Sequence, residues 1–166
     1  MTQPIANPAA TAATPPAPRP KDCTHDKLRR LMRRMSAHYD ARLRQVGLKT
    51  TQFSLLARVG HLGPVRPADL AEAMGLDAST LTRNLKPLAQ AGWLTVNAGV
   101  DARSRLVSLT DTGRAKLLEA RVPWREAQAA LAVQLGAERV TALHALIDES
   151  LALLPAHEPE DGAQDD

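Results

Sequence analysis

From residue 24 to residue 154 the apolar positions recur mostly at three- and four-residue intervals, a spacing that predicts helices. Leu28, Leu31, Met32, Met35, Tyr39 and Val46 trace one stripe, with Arg29, Arg30, Arg33 and Arg34 on the other faces. A first helix is therefore expected from about Thr24 to Val46, stopped by Gly47. Thr50 or Thr51 is placed to cap a second, about Gln52 to Leu62, which Gly63-Pro64 ends. Pro67 suits the first position of a third helix, where its missing N–H costs nothing, and Gly75 closes that helix. Asp77 then caps a fourth, from about Ala78 to Ala91, with Leu81, Leu85 and Leu88 as its buried seam. Here the period changes. Trp93 to Asn97 and Arg105 to Leu109 read as two short strands joined by Ala98-Gly99 and a charged tip. Thr110 is expected to cap a long fifth helix to about Leu135, kinked at Pro123, and a last helix follows Gly136 to Leu154.

The order short helix, tight turn, polar-faced helix, two-strand ribbon, over Pro67 to Leu109, is the layout of a winged helix-turn-helix. The fold class expected is mainly α with a small β-hairpin wing, flanked by N- and C-terminal helices. Those flanking helices carry more apolar surface than the small lobe can cover. Leu117, Trp124 and Leu131 recur every seven residues, and Val140, Leu143, Ile147 and Leu154 form a further stripe. A second copy of the chain is the expected cover, with a monomeric helical bundle as the alternative. The division expected is a winged-helix domain over 23–154, with a DNA-binding lobe at 50–110 and dimerisation helices at 24–46 and 111–154.

Composition changes this picture at its edges. Residues 1–22 hold six prolines among Ala and Thr, and residues 155–166 are polar and acidic; neither has the apolar surface to offset chain entropy, so both are expected to be disordered. At 44% hydrophobic and 23% charged the whole is ordinary globular material, and at 2% aromatic it favours helix. No apolar run reaches the roughly 18 residues of a membrane span, and no basic-then-apolar leader opens the chain, so a cytoplasmic location is expected. The single cysteine, Cys23, excludes an internal disulfide framework and a Cys-rich zinc site. Net charge is +3, yet between Thr24 and Leu154 there are 19 Lys and Arg against 12 Asp and Glu, an excess of seven basic charges. A basic body suits a nucleic-acid partner.

The chemistry gathers on the fourth helix and the wing. With the leucine seam inward, Ser79, Thr82, Arg83 and Lys86 face outward, flanked by Thr80 and Asn84. Arginine pairs with guanine edges, Asn with adenine, hydroxyls with bases or phosphates, and Lys with phosphates. The plainer reading is a solvated helix face. Arg103 at the ribbon tip is of a length to enter a minor groove, where negative potential attracts guanidinium groups, and Asp101 can hold it extended; the plainer reading is a hairpin loop with a local ion pair. No nucleophile–base–acid grouping, phosphate loop or paired-carboxylate site is present, so an enzyme is not expected. The five histidines are scattered without metal-ligand spacing, and no cofactor is expected.

A family resemblance rests on these same residues. Thr51-Gln52-Phe53-Ser54-Leu55-Leu56, Asp69-Leu70-Ala71, the run Leu76 to Leu85, Asp101-x-Arg103 and Leu109-Thr110-x-x-Gly113 closely resemble the MarR family of bacterial winged-helix transcription regulators. The resemblance covers about Thr24 to Leu154. It implies a homodimer on double-stranded DNA, usually a repressor, reading a palindrome of two half-sites a helical turn apart. Ser79, Thr80, Thr82 and Arg83 would then lie in the major groove, Arg103 in the minor groove oriented by Asp101, and Arg105 at the backbone. It also implies release by a small aromatic or phenolic effector between the dimer helices and the winged lobe. His38, Tyr39, Arg42, His61 and Trp124 are the residues here for such a cleft, since Arg or His beside apolar walls suits a carboxylate. Two alternatives stay open. One is a redox-sensing regulator using Cys23, which lies just before a helix start near Lys21 and Lys27 but between Asp22 and Asp26. The other is a winged-helix module that meets an acidic protein partner and never binds DNA.

Overall fold

The computed structural model describes residues 23–98 and 105–154. The tails expected to be disordered lie outside the described residues, and so does the wing tip that carries Asp101 and Arg103. The chain divides into two compact units between Arg34 and Met35. The described part of the first, 23–34, is the opening stretch of helix α1 (Thr24–Leu43), with Leu28 and Met32 exposed among its arginines.

In the second unit, α1 ends in one 3₁₀ turn, Arg44–Val46, closed by Gly47 at φ 69°, where a left-handed residue is needed. Next come α2 (Thr50–Leu62), α3 (Pro67–Met74) and α4 (Ala78–Gln90). The antiparallel pair β1 (Leu94–Ala98) and β2 (Arg105–Leu109) follows, then α5 (Asp111–Leu135) and α6 (Ala137–Leu153). In the hairpin Leu94 faces Leu109 and Ala98 faces Arg105. Val65 adds a third rung: its N–H donates to the Val107 carbonyl at 3.1 Å and its carbonyl accepts the Val107 N–H at 2.8 Å. Trp93, expected in the first strand, lies in the turn before it.

The core draws one or more leucines from most elements. Leu43, Leu48, Leu55, Leu56, Leu70, Leu81 and Leu88 are all 0–1% exposed, and Val59 and Val107 fill the space between them. The predicted seam of α4 is buried as a unit, which fixes the opposite face of that helix to solvent. Of the α5 stripe, Leu117 and Leu131 are buried and Trp124 packs at the core's edge. Helix α5 continues through Pro123, which is buried. Helix α6 is different: it has no buried residue, and Leu146, Ile147, Leu151, Leu153 and Leu154 are exposed. Among the described residues no helix is long and apolar enough to cross a membrane.

Candidate nucleic-acid interface

Helices α3 and α4 meet at Gly75, φ 61°, whose N–H donates to the Glu72 carbonyl while the Leu76 N–H returns to Ala71. This tight left-handed closure sets α4 off at an angle and starts it at Asp77. The Asp77 carboxylate does more than cap. Its Oδ1 accepts the Thr80 N–H at 2.7 Å and the Ser79 hydroxyl at 2.6 Å, and its Oδ2 accepts the Thr80 hydroxyl at 2.7 Å. Those hydrogen bonds, that of Ser79 first and those of Thr80 next, hold the Asp77 carboxyl well below the usual carboxylate range. One turn on, Arg83 Nη2 donates to Thr80 Oγ1 at 3.0 Å, and Thr82 Oγ1 donates to the Ala78 carbonyl at 2.8 Å.

Ser79, Thr82, Arg83 and Lys86 are exposed on one face of α4, and Thr80 is half-buried behind them. Asn84 turns aside. It is half-buried and, with Pro87, lines a 300 Å³ notch shared with Lys49, Thr51 and Gln52 at the start of α2. Arg105 is exposed at the first position of β2, at the base of the wing. So the structure gathers Ser79, Thr80, Thr82, Arg83 and Lys86 on α4, sets Asn84 to their side, and puts Arg105 on the ribbon.

The wing is tied to its neighbours by backbone atoms. The Gly92 carbonyl accepts from Thr110 Oγ1 at 2.6 Å and from Thr112 Oγ1 at 2.8 Å, and the Trp93 carbonyl accepts the Thr110 N–H at 3.1 Å. A Cβ on Gly113 would stand 1.9 Å from the Trp93 oxygen, so only glycine permits this approach. Lys116 braces the same corner, donating to the Val46 carbonyl at 3.0 Å with its ammonium 5.3 Å from the Trp93 ring centroid.

The five residues nominated for an effector cleft do not come together. His61 and Trp124 line an open cleft of 440 Å³ between α2 and α5, together with Phe53, Leu117, Arg121 and Arg125. Phe53 and Trp124 stack within it, centroids 5.7 Å apart. His38 and Tyr39 are spent elsewhere: His38 Nε2 donates to the Ala127 carbonyl at 2.8 Å, and the Tyr39 hydroxyl donates to Gln128 Oε1. Burial raises the Tyr39 pKa further. Arg42 is half-buried near the end of α1. Sequence reasoning missed Arg121 and Arg125; their signal was a pair of arginines four apart astride Trp124 on one helix face. Cys23 is exposed, directly before α1. Among the described residues no group of three His, Cys, Asp or Glu is placed to hold a metal.

A helix-turn-helix whose second helix presents hydroxyls and arginine, followed by a β-ribbon clasped to the next helix, defines a winged helix-turn-helix protein. Residues 48–104 match the MarR family pattern. The chain is 35% identical to the transcriptional regulator MosR of M. tuberculosis, solved in complex with DNA, covering 78% of this chain and 98% of that one at a TM-score of 0.65. It is 25% identical to BpsR of Bordetella bronchiseptica, whose DNA binding is regulated by 6-hydroxynicotinic acid, covering 80% and 96% at a TM-score of 0.69. A curated relative, the uncharacterized HTH-type transcriptional regulator YwoH of Bacillus subtilis, is 32% identical over 80 residues, which span 48% of this chain and 58% of that protein. The chain belongs to the MarR family. Its relatives are transcriptional regulators, not enzymes.

Proposed function

We propose that this MarR-family regulator acts in the cytoplasm as a homodimeric repressor, binding a palindromic operator in double-stranded DNA and leaving it when a small aromatic acid binds. One observation carries the reading. The buried Leu81–Leu85–Leu88 seam turns Ser79, Thr82, Arg83 and Lys86 outward as a set on the second helix of the helix-turn-helix. The basic excess of the body and the likeness to a regulator solved on DNA support it. Arg83 is assigned to a base edge and Lys86 to phosphate; Arg103, with Asp101 beside it in sequence, is assigned to the minor groove, and Arg105 to the backbone.

The Phe53–Trp124 stack with His61, Arg121 and Arg125 around it supplies apolar walls and cationic heads, the set that a planar carboxylate needs. BpsR responds to such a molecule. The uncovered apolar face of α6 supplies the dimer contact.

Fluorescence anisotropy with a duplex from the neighbouring promoter tests the reading. Binding is expected at low salt and should fall steeply as salt rises, through counterion release. Arg103→Ala should weaken binding to every duplex by a similar factor, whereas Arg83→Ala should weaken the cognate duplex most, by about five- to 150-fold. Absence of binding at low salt would sink the proposal in favour of a protein-interaction module. Adding 6-hydroxynicotinic acid or another small aromatic acid should release the duplex, and Arg121→Ala should blunt that release.

A further inference from the structure

The three hydroxyls at the start of α4 share one property: each already commits its single O–H donor to a hydrogen bond within the helix start. Ser79 donates to Asp77 Oδ1 at 2.6 Å, Thr80 to Asp77 Oδ2 at 2.7 Å, and Thr82 to the Ala78 carbonyl at 2.8 Å. A carboxylate and a carbonyl only accept, so the direction of each bond is fixed by chemistry. A hydroxyl offers one donor and two lone pairs. Thr80 spends a lone pair on Arg83 Nη2 and is half-buried. Ser79 and Thr82 are exposed, and what they present outward is lone pairs alone.

From this we infer that Ser79, backed by Asp77, is a specificity-determining residue whose outward oxygen accepts from an exocyclic base amine, so that the half-site carries adenine or cytosine beneath it. The inference rests on the DNA-binding reading above and deepens it. In the major groove the amine-bearing edges are adenine N6 and cytosine N4; guanine O6 and N7, thymine O4 and every phosphate oxygen are acceptors. An acceptor-only Ser79 has nothing to give those groups. The anionic Asp77 directly behind it also repels phosphate. Thr82 has the same polarity but is held by a neutral carbonyl, and charge-assisted bonds are about twice as strong as neutral ones. Ser79 is therefore the firmer selector. Arg83 complements it as a pure donor suited to guanine. The start of α4 thus reads a mixed edge, an acceptor from Ser79 beside donors from Arg83.

The test uses the full chain. Its preferred half-site is obtained by selection from a random duplex library, and the selected duplex is labelled with fluorescein. Each adenine of the half-site is replaced in turn by purine without the amine, and each cytosine by pyrimidinone without the amine. Affinities are measured for wild type and for Ser79→Ala, which leaves the Asp77–Thr80 cap in place. Loss of base pairing is common to both proteins and cancels in the ratio. At one position the amine deletion should cost wild type about three- to tenfold more than it costs Ser79→Ala, the worth of one hydrogen bond. If every deletion costs the two proteins equally, or Ser79→Ala loses the same factor on cognate and random duplexes, Ser79 is not reading an amine and the inference falls while DNA binding stands. If no duplex is selected or bound at low salt, the DNA-binding reading falls and this inference with it.

Discussion

Gly113 sits in the first turn of α5, where the local sequence asks for nothing special. Thr110 caps that turn in the ordinary way, its hydroxyl accepting the Gly113 N–H at 2.9 Å. The demand for glycine comes from twenty residues earlier, where the Trp93 carbonyl presses against the helix. Gly113→Ala is expected to lower stability by about 3 kcal/mol, because backbone must move to admit the methyl. Thermal unfolding should then fall by roughly 6–12 °C; an unchanged midpoint would show that the clasp yields freely. Residue roles that depend on near neighbours were legible in the sequence: Gly47 and Gly75 as left-handed stops, Pro67 at a helix start, Asp77 and Thr110 as caps. Roles set by distant partners were not. Nothing near His38 or Tyr39 foretells that both side chains bond to α5, 89 residues on.

At the scale of elements, the start of α2 shows how a cap escapes notice. Thr50 or Thr51 was the expected cap. Instead Lys49 holds that position with its N–H donating to Gln52 Oε1 at 2.9 Å, and Thr50 gives both its N–H and its hydroxyl to Asp40 of α1 at 2.6 Å. Burial alone would raise the Asp40 pKa. The Thr50 bonds outweigh it, aided by Arg44 and Lys49, and the carboxyl lies below its ordinary 3.8. A depressed folded pKa means the tie is at full strength above the unfolded value and is lost as pH falls through the folded one. Unfolding of wild type and Asp40→Asn should therefore differ by a constant amount above about pH 5 and converge below about pH 4. A gap that widens on acidification would refute this account. The third rung of the wing, Val65, went unpredicted because one residue has no period to detect. Helix α4 runs through Pro87, as its expected span requires; the ring is on the exposed side, and its missing N–H leaves the Arg83 carbonyl without its helical partner.

For the whole molecule, the sequence announced an excess of apolar helix but could not say which helix carried it. The α5 stripe proves to be largely core, though Leu118, Val122 and Val133 on its other faces are exposed; α6, with no buried residue, carries most of its apolar surface outward, with Leu151 69% and Leu146 61% exposed. Replacing Ile147 and Leu151 together by Glu should therefore convert a dimer into a monomer of 17.9 kDa by light scattering while leaving helical content intact. Because two half-sites are then read independently, operator affinity should fall by about a hundredfold or more. A wild-type chain that is already monomeric would contradict the homodimer reading. Of the residues lining the cleft between α2 and α5, the sequence pointed to His61 and Trp124 but not to Phe53, Arg121 or Arg125, since a cleft is defined by two helices meeting and a stripe on one helix does not show its partner.

One further consequence follows from the double grip of Thr110 and Thr112 on the Gly92 carbonyl. It makes α5 a lever and the wing its short arm. At 1.5 Å per residue the 25 residues of α5 span about 37 Å, so a tilt of about 5° sweeps one end by about 3 Å, close to the rise of one base pair. A change of that size in the set of α5 is carried to the base of the wing through Thr110, Thr112 and the Gly92 carbonyl.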